Sequence, residues 1–193
     1  RALSATYALG ALVRQGNGEV HDFDAIARQM LPLYPGVAAL GLAPQGIVKN
    51  IVPLAGNEGA IGHDMLNDPV RGKEAVLARD TGRLALAGPY DLVQGGQGAV
   101  GRLPVSLDNG KGNSDFWGFN TVLIHFPKAL EVARLDEMVE QGYAYELWRN
   151  DPDTGRKLSI AASSPTTLIE PIVQTLQVPN ASWSLSVAPA RGW

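Results

Sequence analysis

AVGRLPVSL at Ala99–Leu107, DNGKGNSD at Asp108–Asp115 and FWGFNTVLIHF at Phe116–Phe126 form the stretch that decides the fold class. Two long, largely apolar runs flank a polar turn with two glycines, which predicts an antiparallel hairpin. The second run is apolar at odd and even positions alike, so it is predicted to be a central strand covered on both faces. Side chains alternate along a strand. Arg102 and Pro104 therefore share one face, and Leu103 and Val105 the other.

Upstream, Gln94–Gly98 reads as a glycine-rich turn and Leu84–Ala87 as a short strand. Asp68-Pro69 reads as N-cap and first position of a helix that runs to about Asp80 and stops at Gly82. An irregular loop covers Gly56–Asn67. Before it, Val37–Leu42 and Ile47–Val52 form a hairpin around Ala43-Pro44-Gln45-Gly46. Asp22 is placed as the N-cap of a helix carrying Phe23, Ile26, Ala27 and Met30, ended by Pro32 and Pro35. Leu3, Tyr7, Ala11 and Arg14 make a weakly apolar stripe on a first helix, broken by Gly16 and Gly18. Downstream, Pro127 opens a helix to about Gln141. Tyr143–Arg149 and Lys157–Ala162 make a hairpin, and Ala181–Val187 a last strand. The result is an α+β chain dominated by antiparallel pairing.

The 193 residues are 45% hydrophobic and 18% charged, with a net charge of −3 and no cysteine. That composition builds a core without staples. It excludes thiol catalysis, zinc ribbons and a disulfide scaffold, and no basic run marks a nucleic-acid face. No apolar run reaches membrane-spanning length. The chain opens on Arg1 and stops at Gly192-Trp193, which reads as a piece of a longer protein with membrane helices expected before Arg1 and after Trp193.

Catalytic signatures are missing. Gly96-Gln97-Gly98-Ala99-Val100-Gly101 has the dinucleotide spacing but leads into a strand rather than a helix, so a tight turn is the better reading. His21, His63 and His125 have no ligand-like spacing. His63-Asp64 sets a histidine beside a carboxylate, either a pair with a role or a local cap. Asn180-Ala181-Ser182 is a glycosylation sequon. No metal and no cofactor are expected.

A longer series of short pieces is specific in order and spacing. It comprises Tyr34-Pro35-Gly36-Val37, Leu42-Ala43-Pro44-Gln45-Gly46-Ile47-Val48, Gly56-Asn57-Glu58 and Ile61-Gly62-His63-Asp64. Then come Asn67-Asp68-Pro69, Ala78-Arg79-Asp80-Thr81-Gly82, Leu86-Ala87-Gly88-Pro89, Gly101-Arg102-Leu103-Pro104-Val105 and Phe116-Trp117-Gly118-Phe119. The series, from about Phe23 to Phe126, resembles the CHASE domain, the extracellular sensory domain of histidine kinases and nucleotide cyclases. The resemblance implies a long N-terminal helix and two PAS-like antiparallel-sheet subdomains in series. The helical region would cover residues 1–33, a membrane-distal ligand-binding subdomain 34–126, and a membrane-proximal subdomain 127–193. It implies a periplasmic or extracellular sensor, not itself an enzyme. The sensor would bind a small molecule, be homodimeric in its parent, and be joined to a histidine kinase, diguanylate cyclase or phosphodiesterase. The alternative is a ligand-free structural or dimerisation module.

In the plant cytokinin receptors of this family, an acidic side chain and a threonine contact an adenine-type hormone. The threonine position, two residues before the strand proline, falls here on Arg102. The acidic position falls near Arg71, with Asp68 one alignment step away. Arginine at both places points to an anionic ligand, because a guanidinium offers a planar charged fork. The other reading has Arg102 paired with Asp80 or Asp91 to hold the sheet. Tyr90, Val93, Phe116 and Trp117 serve equally as apolar walls of such a site or as core.

Overall fold

The computed structural model describes residues 2–91, 96–126 and 128–192. Two compact units follow one another, Arg1–His125 and Phe126–Trp193, and each is built on its own antiparallel sheet. The expected mixed α+β architecture with two sheets in series is present, and so is the N-terminal helix.

The first unit contains helices α1 (Ser4–Gln15), α2 (Phe23–Met30) and α3 (Lys73–Thr81). Its strands are β1 (Val37–Pro44), β2 (Asn50–Val52), β3 (Ala85–Asp91), β4 (Gln97–Asp108) and β5 (Ser114–Phe126). The sheet order is β2-β1-β5-β4-β3. The central place of β5 follows from its two apolar faces. Phe119 packs among Ala75 and Ala78 of α3 and Ala43 and Ala85 of the sheet. Asn120 and Val122 face α1, where a Cβ on Gly10 would meet Asn120 and one on Gly101 would meet Leu3 and Val122. The β4–β5 neighbours are joined by the turn over 109–113, closed by Asn109 N–H donating to the Asn113 carbonyl at 3.0 Å. So short a connection permits only an antiparallel pair.

Three local expectations need correction here. The buried face of α1 is Ala5, Thr6, Leu9, Gly10 and Val13, not the Leu3, Tyr7, Ala11, Arg14 stripe, and Tyr7 is 57% exposed. Leu9 and Val13 decide the face, since each gains about 1.5–3 kcal/mol on burial while alanine and glycine contribute little. The helix after the loop begins at Lys73 rather than beside Asp68. The Asp68 carboxylate instead caps a separate turn, accepting the amides of Val70 at 2.8 Å and Arg71 at 2.7 Å. Asp22 does precede α2, but in a left-handed conformation and without a side-chain cap bond. Gly82 ends α3 at φ 67°, a conformation glycine adopts without strain.

In the second unit, a 3-10 segment at Lys128–Ala133 precedes α4 (Leu135–Glu140). Strands β6 (Tyr143–Asn150), β7 (Lys157–Ala162), β8 (Ile172–Val178) and β9 (Ala181–Pro189) follow, in the order β7-β6-β9-β8. The single helix expected over Pro127–Gln141 is therefore two pieces, because Arg134 turns left-handed at φ 51° between them. Pro127 itself lies outside the described residues. Strand β8 has no counterpart among the sequence-based expectations. Leu135, Leu147, Ile160 and Trp183 are buried in this unit. The Phe126 ring meets Trp183 edge-on with centroids 5.7 Å apart, and the Trp148 indole N–H donates to Ser186 Oγ at 2.8 Å. Among the described residues no helix is long and apolar enough to cross a membrane.

Candidate functional site

Arg102 stands on β4 directly opposite Ala85 of β3, so the two side chains point to the same face of the sheet, toward α3. The guanidinium is buried, with the residue only 2% exposed. Its Nη1 donates to the Arg71 carbonyl at 2.7 Å, and its Nε is buried without a partner among the described residues. Burial lowers the Arg102 pKa below its usual value, against the opposing pull of Tyr90, Glu74 and Asp68. A cation so placed is costly unless several acceptors reach it. Among the described residues one backbone carbonyl reaches it.

The two carboxylates offered as structural partners are engaged elsewhere. Asp80 pairs with its neighbour Arg79 at 2.8 Å, and Asp91 accepts from Gln97 Nε2 at 3.2 Å. Both are exposed.

Arg71 lies in the turn that leads into α3. Its guanidinium carbon sits 4.4 Å from the centroid of the Tyr90 ring, a cation–π contact that holds this exposed side chain over the end of β3. The turn that positions Arg71 is organised by Asp68. The amide bonds from Arg71 and Val70 hold the Asp68 carboxyl below the usual carboxylate range, chiefly the Arg71 bond. The other Asp68 oxygen lies 3.4 Å from His63 Nε2. A polar chain thus runs from His63 through Asp68 and Arg71 to Arg102.

The structure brings Arg71, Tyr90 and Arg102 together. Phe116 is on the same face of the sheet, packed edge-on against Phe119 with centroids 5.0 Å apart and adjoining the α3 core. Trp117 is placed elsewhere. A Cβ on Gly18 would fall 2.7 Å from its indole nitrogen, so the Trp117 ring lies on the α1 side with Leu107. Val93 lies outside the described residues. His63 meets Asp68 rather than its sequence neighbour. Asp64 accepts the amides of Leu66 and Asn67 and the Asn67 side chain, which makes it a loop organiser. No group of three metal-ligating side chains occurs among the described residues.

One feature lacked any signal in the sequence. An open groove of about 290 Å³ beside the β1–β2 turn is lined by Pro44, Ile47, Val48, Lys49, Ile61 and Gly62. Its exposed isoleucines belong to loops without periodicity, so no pattern announces them. The groove does not include Arg102. The buried, under-bonded charge is the stronger chemical signal of the two, because desolvating a cation costs far more than exposing a few apolar atoms.

The first unit is a sheet with helices on both faces and a cluster of basic and aromatic side chains before one helix, and comparison with known proteins gives the family. The CHASE domain model matches residues 44–158, more than half of the sequence, and the chain belongs to the CHASE domain family. The family is sensory and places the chain on the extracytoplasmic side of a membrane receptor. Among solved structures, an extracellular ligand binding receptor from Desulfohalobium retbaense is similar in fold, with a TM-score of 0.69 and 12% identity. The alignment covers 96% of this chain and 36% of that one, so the chain spans about a third of that receptor's length. The periplasmic domain of Vibrio cholerae LuxQ aligns with a TM-score of 0.49 and 13% identity over 98% of this chain and 88% of that one. No curated protein matches the sequence.

Proposed function

We propose that this chain is the ligand-binding sensor of a membrane-anchored, homodimeric receptor. Residues 34–126 form the membrane-distal ligand-binding part and 127–193 the membrane-proximal one. The ligand is a small anion, a carboxylate or a phosphate ester, held by Arg102 with Arg71 and Tyr90 at its mouth. Phe116 supplies apolar wall. Ligand binding is relayed to an output domain outside this chain, a histidine kinase, diguanylate cyclase or phosphodiesterase. The single observation that carries this reading is the Arg102 guanidinium, buried with one carbonyl acceptor and an unbonded Nε among the described residues. An anion fits that deficit through the paired hydrogen bonds that guanidinium and carboxylate form. Strand β4 offers a relay, since Gly101 and Leu103, which flank Arg102, face α1.

A second reading also has an observation behind it. The Arg102–Arg71 bond ties β4 to the turn before α3, and such a tie suits a structural module without a ligand. Thermal-shift measurements against small mono- and dicarboxylates, inorganic phosphate and neutral analogues separate the two. On the sensor reading at least one anion raises the melting temperature of the wild-type chain and leaves Arg102→Ala unmoved. If no anion acts on the wild type, or the same anion stabilises both proteins equally, the structural reading stands instead.

A further inference from the structure

The two sheets share one connection pattern. In the first, the β1–β2 hairpin is followed by α3 and β3 and then the β4–β5 hairpin, giving β2-β1-β5-β4-β3. In the second, the β6–β7 and β8–β9 hairpins give β7-β6-β9-β8. The second sheet is the first without its fifth strand. The intervening chain explains the difference: residues 53–96 between β2 and β4 hold α3 and β3, whereas only 163–171 separate β7 from β8. Strand β8 stands where β4 would stand if β3 were removed.

The edge so exposed lacks the usual protection. Edge strands are commonly blunted by charges, prolines, bulges or shortness. The seven residues Ile172–Val178 include no charge and no proline. Their register with β9 is unbroken from Ile172 opposite Val187 to Val178 opposite Ala181. Ile172, Val173 and Leu176 are 66%, 49% and 39% exposed. The Thr175 carbonyl accepts a hydrogen bond at 3.1 Å from the side chain of Gln174, a side-chain amide doing what a neighbouring strand would do.

We propose that the open edge of β8 pairs antiparallel with β8 of a second copy of this chain, about a two-fold axis at Thr175. The inference rests on the homodimer reading above and gives that dimer a surface. A row of backbone donors and acceptors takes only an extended backbone, and this strand matches itself. In the two-fold register Ile172 lies opposite Val178, Val173 opposite Gln177 and Gln174 opposite Leu176. Each pair keeps to one face. One face carries Ile172, Gln174, Leu176 and Val178 in line with Val187, Leu185, Trp183 and Ala181 of β9; the other carries Val173, Thr175 and Gln177 in line with Ser186, Ser184 and Ser182. The absence of charge means that no like charges meet at the axis. A charged partner strand would find nothing to complement. The pair closes on itself, as a two-fold interface does.

Charge at the axis tests this in the full chain. Thr175 is exposed, so Thr175→Lys and Thr175→Glu leave each fold intact while setting like charges opposite each other in the pair. Light scattering and sedimentation of the wild-type chain are expected to show a dimer. Each variant alone should be monomeric, and an equimolar mixture of the two should dimerise again. The chain has no cysteine, so Thr175→Cys should form a disulfide-linked dimer on oxidation, on the order of tenfold faster than an exposed control, Thr167→Cys. If both charge variants stay dimeric and the two cysteines react alike, the β8 edge is not the interface and only the dimer reading survives. A monomeric wild type with no preference for Thr175→Cys overturns both.

Discussion

Replacing Arg102 by methionine separates a binding charge from a structural one, because the two roles predict different losses of stability. Methionine keeps most of the stem's volume and removes the guanidinium. The loss is one charge-assisted hydrogen bond to the Arg71 carbonyl, at 2.7 Å and about 1.5–3 kcal/mol. The gain is relief from a charge held at 2% exposure with an unbonded Nε, a desolvation cost of several kcal/mol. The two nearly cancel. The expected net change is within about 1 kcal/mol, or about 2–4 °C in melting temperature for a chain of this length. Affinity for the stabilising anion behaves differently. Removing one partner of a buried charged contact costs about 2–5 kcal/mol, which is roughly thirtyfold or more in Kd. Urea unfolding and calorimetric titration of wild type and Arg102→Met measure both quantities. A stability loss of about 3 kcal/mol or more with unchanged anion affinity would refute the reasoning and make Arg102 a structural tie.

Other outcomes follow from the same geometry. Leu9→Ala should cost about 2–5 kcal/mol, because Leu9 is fully buried, while Tyr7→Ala on the same helix should stay within about 0.5 kcal/mol; equal effects in urea unfolding would reject the assigned face of α1. Gly41→Ala should cost about 1–3 kcal/mol by overpacking, since its Cβ would fall 2.5 Å from Thr121 Oγ1, and Thr121→Ala should recover part of that loss in the double variant. Asp68→Asn should flatten the acid limb of stability. The folded-state pKa of Asp68 is lowered by its bonds to Arg71 and Val70. Its contribution is therefore present above the unfolded carboxylate value near about 4 and is lost as pH falls through the folded value. The urea midpoint of the wild type should drop more between pH 5 and pH 3 than that of Asp68→Asn, and parallel curves would show that Asp68 carries no such load.

Much of the first sheet was legible because its signals are local. The run Phe116–Phe126 is apolar on both faces, and only a central strand buries both. Gly82 and the polar turn Asp108–Asp115 end their elements for reasons of backbone conformation that composition reveals. That Arg102 lies on the side of β4 opposite Leu103 followed from alternation alone. Elsewhere the signal was weak or misleading. The stripe through Tyr7 and the stripe through Leu9 share one helical spacing, and close packing of Gly10 against Asn120 and Leu103 selects the second. Strand β8 reads IVQTLQV, half polar and largely exposed, so no buried face marks it. The break at Arg134 depends on a left-handed residue that is not glycine. In the candidate site, Arg71 meets Tyr90 through a contact between a turn and a strand edge, which sequence spacing does not encode. Trp117 lies on the opposite face from its chain neighbour Phe116. Gly118, at φ 153° between Trp117 and Phe119, lets Phe116 rejoin Phe119 and upsets the simple alternation.

The most direct test of the central claim is the position of a bound anion. The acid that gives the largest thermal shift should be introduced into crystals of the wild-type chain and the complex structure determined. The account expects its carboxylate or phosphate oxygens at hydrogen-bonding distance, about 2.7–2.9 Å, from the Nε and an Nη of Arg102, with Arg71 and Tyr90 alongside. An acid found in the groove by Pro44 and Lys49, or in the Phe126–Trp193 unit, with Arg102 still bound only to the Arg71 carbonyl, would contradict it.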